Sequence, residues 1–557
     1  MAKPKLALIP AAQGDKFYSV LPSDGVGDFD FTRNSSATRI APTGFIETSE
    51  LFGSELVTNG NFDNDSDWNK GTGWTISGGT GNCDGTGANA LLYQNNIFIS
   101  GKNYNINFRI TSYTSGVLRL RDNGVLLPTN YTAIGNYTLN LTATQTGFIG
   151  FQNYSSFIGS IDNISVVEVI GKSRLNYDLL NGKVVNCPHY LLEPASTNII
   201  EYSEDFSNSA WTKSNTTITS NSIISPDGTL NASTLTDNTA NGIHRLRDSV
   251  SLSASTDYSL SVFAKKGTLS NIQLALINTA NSNTSSRVFD LENGVLGESL
   301  TNQTLSNSKI TDYGNGWFKC EITAQLASTP NTYQITLATK SSGNATNASQ
   351  VTYDGDGTGN VYIFGAQLEQ GSYPTSYIPT NGTAITRAAE TAIGSGDAAT
   401  FNDSEGVLMA EISALANDGG NRIISLSDGS QVSRVIIYYT SANNQINVIS
   451  STNSTNQFNS SFIVSDIKSS SKIAIKYKNN DFSFWVNGIK VGTSTSGLAP
   501  IGLSELAFDN GSGGANFYGK TRELQYFDSV LTDAQLETLT SWTSLQEMIT
   551  SQLYTNY

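Results

Sequence analysis

A chain of 557 residues with a net charge of −15 repels phosphate backbones and anionic membrane surfaces, and no Lys/Arg cluster interrupts that charge, so neither nucleic-acid binding nor membrane insertion is expected. Charged residues make up only 14% of it where about 25% is usual, and Ser, Thr, Asn and Gly between apolar residues suit sheets whose outer faces carry hydroxyls and amides. Cys83, Cys187 and Cys320 lie far apart and His189 and His244 are the only histidines, which leaves almost no material for a disulfide framework, a zinc site or a Ser-His-Asp triad.

The first ten residues have a basic start, but their apolar run is too short for a signal peptide, and no segment approaches the length of a membrane span. Residues 1–52 hold short strands such as Phe17-Tyr18-Ser19-Val20-Leu21, broken by turns at Asp24-Gly25 and Gly27-Asp28, and are too few for a core of their own. A phrase then begins that the chain later repeats. Asn61-Phe62-Asp63-Asn64 runs on to Trp68-Asn69-Lys70, and Asp205-Phe206-Ser207-Asn208 runs on to Trp211-Thr212-Lys213. Each copy reaches a matching strand start, Ile99-Ser100 to Tyr104-Asn105-Ile106 and Leu252-Ser253 to Tyr258-Ser259-Leu260. Such self-similarity marks an array of modules.

The first copy, 53–170, closes on the alternating stretch Gly159 to Val169. The second, 196–393, closes on Val361-Tyr362-Ile363-Phe364 and leaves through a strap with prolines at Pro374 and Pro379. Residues 394–531 differ in character from both copies. There Lys472 to Lys478 and Phe482 to Val486 alternate around Asn479-Asn480, and Asn487-Gly488 ends the hairpin. The tail, 532–557, reads as the one helix. Thr532 can cap it, and Leu536, Leu539, Trp542, Leu545 and Ile549 recur every three or four residues. The fold class expected is all-β: tandem jelly-roll/β-sandwich modules with a short C-terminal helix.

The run Phe31-Thr32-Arg33-Asn34-Ser35-Ser36-Ala37-Thr38-Arg39-Ile40, followed by Thr43-Gly44-Phe45-Ile46-Glu47, resembles the N-terminal signature of a family of bacteriophage virion proteins, of the tail, fibre or minor structural kind, that carry carbohydrate-binding-like modules. That family continues closely with an Arg-x-x-Tyr segment and a Cys-Pro-x-x-Leu-Leu-Glu-Pro-x-x-Thr-Asn motif. Here both come later, at Arg174 to Tyr177 and Cys187 to Asn198, so 53–170 reads as an insertion and the virion-anchoring leader as 1–52 continued at 171–195. The exit Tyr373 to Thr380 and Thr386-Arg387-Ala388-Ala389 is also similar to that family. Residues 394–531 are similar to laminin-G and concanavalin-A-like sandwiches.

Among candidate site residues, Trp68 and Trp211 occupy equivalent repeat positions and are expected to fill equivalent cores. Trp74 has no counterpart in the second copy and, with Tyr113, is the candidate sugar-stacking residue, with burial as the alternative. Trp485 reads as sandwich packing. The carbohydrate-binding jelly-roll resemblance implies a structural calcium tying first and last strands, with Asp63 and Asp162 as candidate ligands; two solvated acids are the alternative. Asp354-Gly355-Asp356-Gly357 lacks the later ligands of a calcium loop and reads as a turn. No other cofactor is implied. Neither a nucleophile elbow nor a phosphate-binding loop is present, so no enzyme is expected.

The resemblance implies a virion surface protein, tail fibre, head fibre or decoration protein, made in the host bacterial cytoplasm and displaying lectin-like modules to host or environmental glycans. A structural component using these folds as spacers is the alternative, and a polysaccharide depolymerase the third. Its partners would be other virion proteins, cell-surface glycans and further copies of itself. The apolar stripe from Leu536 to Ile549 is expected to bury against either the last sandwich or a neighbouring subunit; a trimer is favoured because fibres are usually trimeric and such a stripe is a common way to lock one.

Overall fold

The computed structural model describes every residue except 1–2, 11–15, 34, 173–174, 186–187, 254, 279–282, 300–304, 327–330, 339–350 and 542–557. Its strand-to-strand pairings are antiparallel, and the helix Asp533–Ser541 is the one helix among the described residues. The fold is all-β. Two compact units emerge, Glu50–Ser173 and the remainder, Met1–Ser49 with Arg174–Tyr557.

The inserted unit is a two-sheet jelly roll. One sheet has the strand order Gly135–Thr142, Asn103–Ser115, Ile158–Lys172, Thr80–Asp84, Trp74–Ser77. The other runs Val125–Leu126, Leu118–Asp122, Gly147–Asn153, Leu91–Phe98, Asn69–Lys70. Period-two alternation turns Tyr104, Ile106, Phe108 and Ile110 of the first sheet onto Leu92, Leu120, Ile149 and Phe151 of the second. Its inbound strand Glu50–Glu55 pairs with the end of its outbound strand, Glu50 opposite Lys172, so the two ends of the unit lie side by side.

The second module repeats this plan within the larger unit. Thr216–Ile223, Ala232–Asp237, Asn360–Gln370, Thr256–Lys266 and Trp317–Leu326 stand in the order of the first module's larger sheet, with Leu305–Gly314 added at the edge. The repeated phrase is a repeated structure. Trp68 Nε1 donates to Asn59 O at 3.0 Å and Trp211 Nε1 to Tyr202 O at 2.9 Å, each nine residues back. Their rings sit 5.4 Å from Phe62 and 5.2 Å from Phe206. Tyr104 OH accepts from Ile99 N, and Tyr258 OH from Ser253 N. Both tryptophans are buried, as the repeat implies.

The leader closes no core of its own. Leu6–Leu8 and His189–Leu192, from its two halves, both pair with Gly519–Phe527 of the C-terminal sandwich, and Leu6, Leu8, Tyr190 and Leu192 share that sandwich's core with Leu408, Ile437, Phe484 and Leu524. Three- and four-residue strands bury too little to stand alone, and here they cover an otherwise open edge. The sheet facing it runs Thr455–Ile463, Gln445–Thr452, Arg434–Tyr439, Arg422–Ser427, Glu505–Ala507.

Two expectations for the C-terminus are corrected. Trp485 packs on the outer face of its sheet, under the helix, with Met409, Phe527, Leu536 and Leu539. Of the two surfaces expected for the helix face, Leu536 and Leu539 meet the chain's own sandwich: both are 0% exposed there, so as interface residues they are corrected. The helix is set there by its cap: Thr532 Oγ1 accepts from Gln535 N while Thr532 N donates to Gln535 Oε1, a reciprocal capping box that fixes which residues face the sheet. Trp542, Leu545 and Ile549 lie outside the described residues.

Where the leader and the second module meet, four charges are buried together. Arg33 Nη1 donates to Glu390 Oε1 at 2.6 Å, and Arg387 pairs with Glu193. Glu390 Oε2 accepts from Glu193 N at 2.8 Å, Glu193 Oε1 accepts from Ser376 N at 2.8 Å, and Arg387 Nη2 donates to Pro194 O at 2.7 Å. Ser196–Asn198 pairs with Ile385–Arg387, so the ends of the second module are also joined. Asn198 adds donors to Ala366 O and Ile378 O and accepts from Leu368 N.

Because its ends are already paired, excision of residues 50–173 with a short linker should leave the larger unit with an unchanged melting temperature by circular dichroism; a large drop would mean that the insertion supports the frame. Arg387→Leu leaves Glu193 buried without its counter-charge and should cost about 3–5 kcal/mol in denaturant unfolding, with Glu193→Gln recovering part of it in a double-mutant cycle. His189 is fully buried and accepts at Nε2 from Asn176 Nδ2 at 3.1 Å, while Nδ1 faces Asp178 at 3.6 Å. Burial, with Lys520 close by, lowers its pKa from 6.5 to about 3. Between these values the unfolded chain binds the extra proton, so stability is full above pH 6.5 and falls by about 1.4 kcal/mol per unit as pH drops toward 3. Denaturant titrations of wild type against His189→Gln should differ by that slope in this window.

Candidate glycan-binding face

The smaller sheet of the inserted module turns one face to its core and the other outward. Register fixes which residues share that outer face: Tyr93 lies opposite Gly150, which lies opposite Arg121, and Leu91 opposite Gln152, which lies opposite Arg119. Inward-facing Leu92, Ile149, Phe151, Leu118 and Leu120 are fully buried, so the alternation holds the outer set in place.

Aromatic and hydrogen-bonding groups alternate across this face. The Tyr93 and Phe148 rings, both half-buried, lie 5.1 Å apart. Beside them the central strand presents Gly150, where a Cβ would come within 3.0 Å of the Phe148 ring and 3.6 Å of Arg121 Cβ. The missing side chain leaves a shallow trough between the tyrosine and the arginine. Arg121 Nε donates to Gln152 Oε1 at 2.9 Å, its Nη1 to Gly124 O at 2.8 Å, and Gln152 Nε2 donates to Asn89 Oδ1 at 2.8 Å. Arg119 Nε donates to Asn130 Oδ1 at 2.6 Å, and its guanidinium lies 3.9 Å from the centre of the Tyr154 ring, which is 41% exposed. These second partners hold the arginines in fixed poses while leaving other N–H groups of each fork to an incoming acceptor. Ring faces for C–H stacking beside fixed guanidinium donors are the chemistry that binds a sugar.

The second module has the same sheet but not the same face. There Asn271, Gln273, Thr332, Gln334 and Thr336 are at most 4% exposed. Val351, itself fully buried, donates its amide to Gln273 Oε1. A covered face cannot take up a polymer from solution.

The residues chosen from sequence fall elsewhere. Trp74 is 4% exposed, donates Nε1 to Ala90 O at 3.3 Å and stacks on Phe157 with centroids 6.3 Å apart. Tyr113 approaches the same Phe157 ring at 6.2 Å and donates its hydroxyl to Gly116 O at 3.0 Å. The structure thus brings the pair together, but as packing at the edge of the core, and Trp74 is corrected from sugar platform to core residue. Its lack of a repeat counterpart reflects a local core difference. Asp63 is exposed and accepts from Asn61 Nδ2 at 2.5 Å; Asp162 accepts from Asn163 N at 2.7 Å. Their segments touch, since Ile164 N donates to Gly60 O at 2.9 Å. Asp356 is a turn residue, accepting from Thr358 N at 2.8 Å. Cys83 and Cys320 are free and buried, and Cys187 lies outside the described residues.

No protein-family model matches the chain, and no curated protein sequence does. Among solved structures it is similar to the CBM40 of Ruminococcus gnavus IT-sialidase bound to α2,3-sialyllactose, at 16% identity over 26% of this chain and 92% of that one, with a TM-score of 0.23. It is similar to the heptameric SAP-like pentraxin of Limulus polyphemus at 14% identity over 26% and 72%, with a TM-score of 0.21. It is also similar to domains LG4-5 of the mouse laminin α1 chain at 10% identity over 52% and 86%, with a TM-score of 0.18. By its own topology the chain is an all-β assembly of two jelly rolls and one two-sheet sandwich.

Proposed function

We propose that this protein is a bacteriophage virion surface component whose inserted jelly roll attaches to host or environmental glycans, by binding and without catalysis. The observation that carries the glycan reading is the outer face of that module, where Tyr93, Phe148 and Tyr154 alternate with Arg119 and Arg121, the latter braced by the buried Gln152, around the gap at Gly150. The virion reading is supported by the phage-like motifs. Arg33, Glu193 and Arg387, all taken from those motifs, meet in the buried charges that join leader and second module. A paired base beneath each module suits a part whose frame stays constant while its displayed units vary. One such face binds weakly, so attachment would draw on many copies acting together on one particle. The covered face of the second module favours a spacer role for that module.

Tyr93→Ala with Arg121→Ala should reduce binding to a glycan array or to the host cell surface by about tenfold or more, since ring stacking and a charge-assisted hydrogen bond are lost together. Both side chains lie on the outer face, so the melting temperature should move little. Unchanged glycan binding in the doubly substituted protein would sink the assignment of this face, and adsorption by particles lacking residues 50–173 would sink the attachment role of the module.

A further inference from the structure

We propose that the open face of the inserted module selects carboxylate-bearing saccharides, with Arg119 gripping the carboxylate; this rests on the glycan reading of that face and narrows it to a ligand class. The fold leaves two guanidiniums of this face unneutralised. Among the described residues neither Arg119 nor Arg121 has an ion-pair partner, whereas Lys70 and Lys102 of the same module pair with Asp65 and Glu168. The rows that hold the arginines, Leu91 and Gln152 beside Arg119, and Asn69, Tyr93 and Gly150 beside Arg121, contain no acid. Asp122, next in sequence, is fully buried on the other face and accepts from Thr144 N at 2.6 Å and Thr144 Oγ1 at 2.7 Å. In a chain of net charge −15 this is a local reversal of sign.

Both forks can be reached from solvent. Arg119 spends only Nε, on Asn130 Oδ1 at 2.6 Å, and the Tyr154 ring centre lies 3.9 Å from its guanidinium carbon. Nη1 and Nη2 form the end of the fork, and both are open, without a protein partner and not enclosed. That end presents two parallel N–H groups at the spacing of the two oxygens of a carboxylate. Arg121 spends Nε on Gln152 and Nη1 on Gly124 O, and its Nη2 stays open beside the trough. Positions two apart on one strand are about 6.6 Å from each other, within the Debye length of about 8 Å at physiological salt, so both charges act on one anion.

The surface beside the arginines makes the anion a saccharide. Tyr93 and Phe148 flank the trough at Gly150, and Tyr93 stands in the row of Arg121, next to the row of Arg119. A pyranose in the trough can stack its C–H face on the tyrosine while a carboxylate, on that ring or on its neighbour in the chain, meets the open end of Arg119. A neutral sugar would use the rings and leave the fork to water. An acidic peptide would use the fork and leave the trough empty.

The test is a glycan array carrying uronate-bearing, sialate-bearing, sulfated and neutral oligosaccharides, probed with the full chain, followed by calorimetric titration of the strongest hit. Carboxylated glycans should dominate the hits, their binding should weaken with added salt, and reduction of their carboxyls to alcohols should abolish it. Arg119→Gln should lose about tenfold or more in affinity, the equivalent of one bidentate charge-assisted contact. Should that variant not fold, Arg121→Gln decides, with an expected loss of about threefold. Neutral glycans bound equally well, with that binding lost in Tyr93→Ala, would keep the face and overturn this inference, whereas no glycan bound at all would overturn both. A preference for sulfated glycans, wild-type affinity in Arg119→Gln or, where that variant does not fold, in Arg121→Gln, or tighter binding of hexaglutamate than of the hit would each overturn it as well.

Discussion

The larger unit hangs on four buried charges. Arg33, Glu193, Arg387 and Glu390 come from sequence positions up to 357 residues apart, and none is more than 6% exposed at its side chain. Burying two ion pairs brings little net stability against an apolar alternative, because each ion gives up its hydration. What the knot does supply is specificity. A planar guanidinium accepts a carboxylate in few orientations, and every remaining acceptor here is claimed by a main-chain amide, Glu193 N or Ser376 N. Burial pushes the Glu390 carboxyl up, and the two arginines oppose that shift. The leader, the module base and the strap can therefore dock in one register. The same reasoning explains why the leader needs no core: its short strands borrow the sandwich's edge, and the charges fix where they lie.

Much of this was legible in the sequence where the signal is local or repeated. The Phe-Trp phrase foretold two equivalent plugs, and Trp68 and Trp211 make the same nine-residue hydrogen bond. The Asn479-Asn480 and Asn487-Gly488 turns are present, with Asn480, Asn487 and Gly488 at φ 59°, 48° and 82°. What was not legible is whatever depends on pairing between distant strands. Trp74 carries no local mark that separates a core position from a platform; only its pairing with Cys83 and its contact with Phe157 place it inside. Conversely, Arg119, Arg121 and Gln152 look like ordinary polar positions until register sets them in rows with Tyr93 and Leu91. The start of the apolar stripe after Thr532, Leu536 and Leu539, was read correctly as a helix face, but amphipathicity does not say whose surface it meets.

The two modules show how one plan takes different roles. Strand order and plug are shared, while the outer face is open and aromatic in one copy and roofed and amide-lined in the other. In the roofed copy Gln273, Gln334 and Thr336 are fully buried, so polar groups there serve internal bonding rather than an outside ligand. Composition hides this difference, since both faces are drawn from Asn, Gln, Thr and Arg.

Each module begins and ends on neighbouring strands, Glu50 opposite Lys172 in one and Thr197 opposite Thr386 in the other. For the frame, such a module is topologically a side loop: the main chain returns to where it left, and the distance to be bridged does not depend on what the loop contains. Tension applied along the frame would therefore be borne by the sandwich and its borrowed strands, while each module stays folded behind a short zipper at its base. The pairing at its base sets no demand on what a module contains, and in the second module it is the further contacts, Arg387 and Glu390 in the buried charges and Tyr377 against Thr38, that an exchange would have to keep.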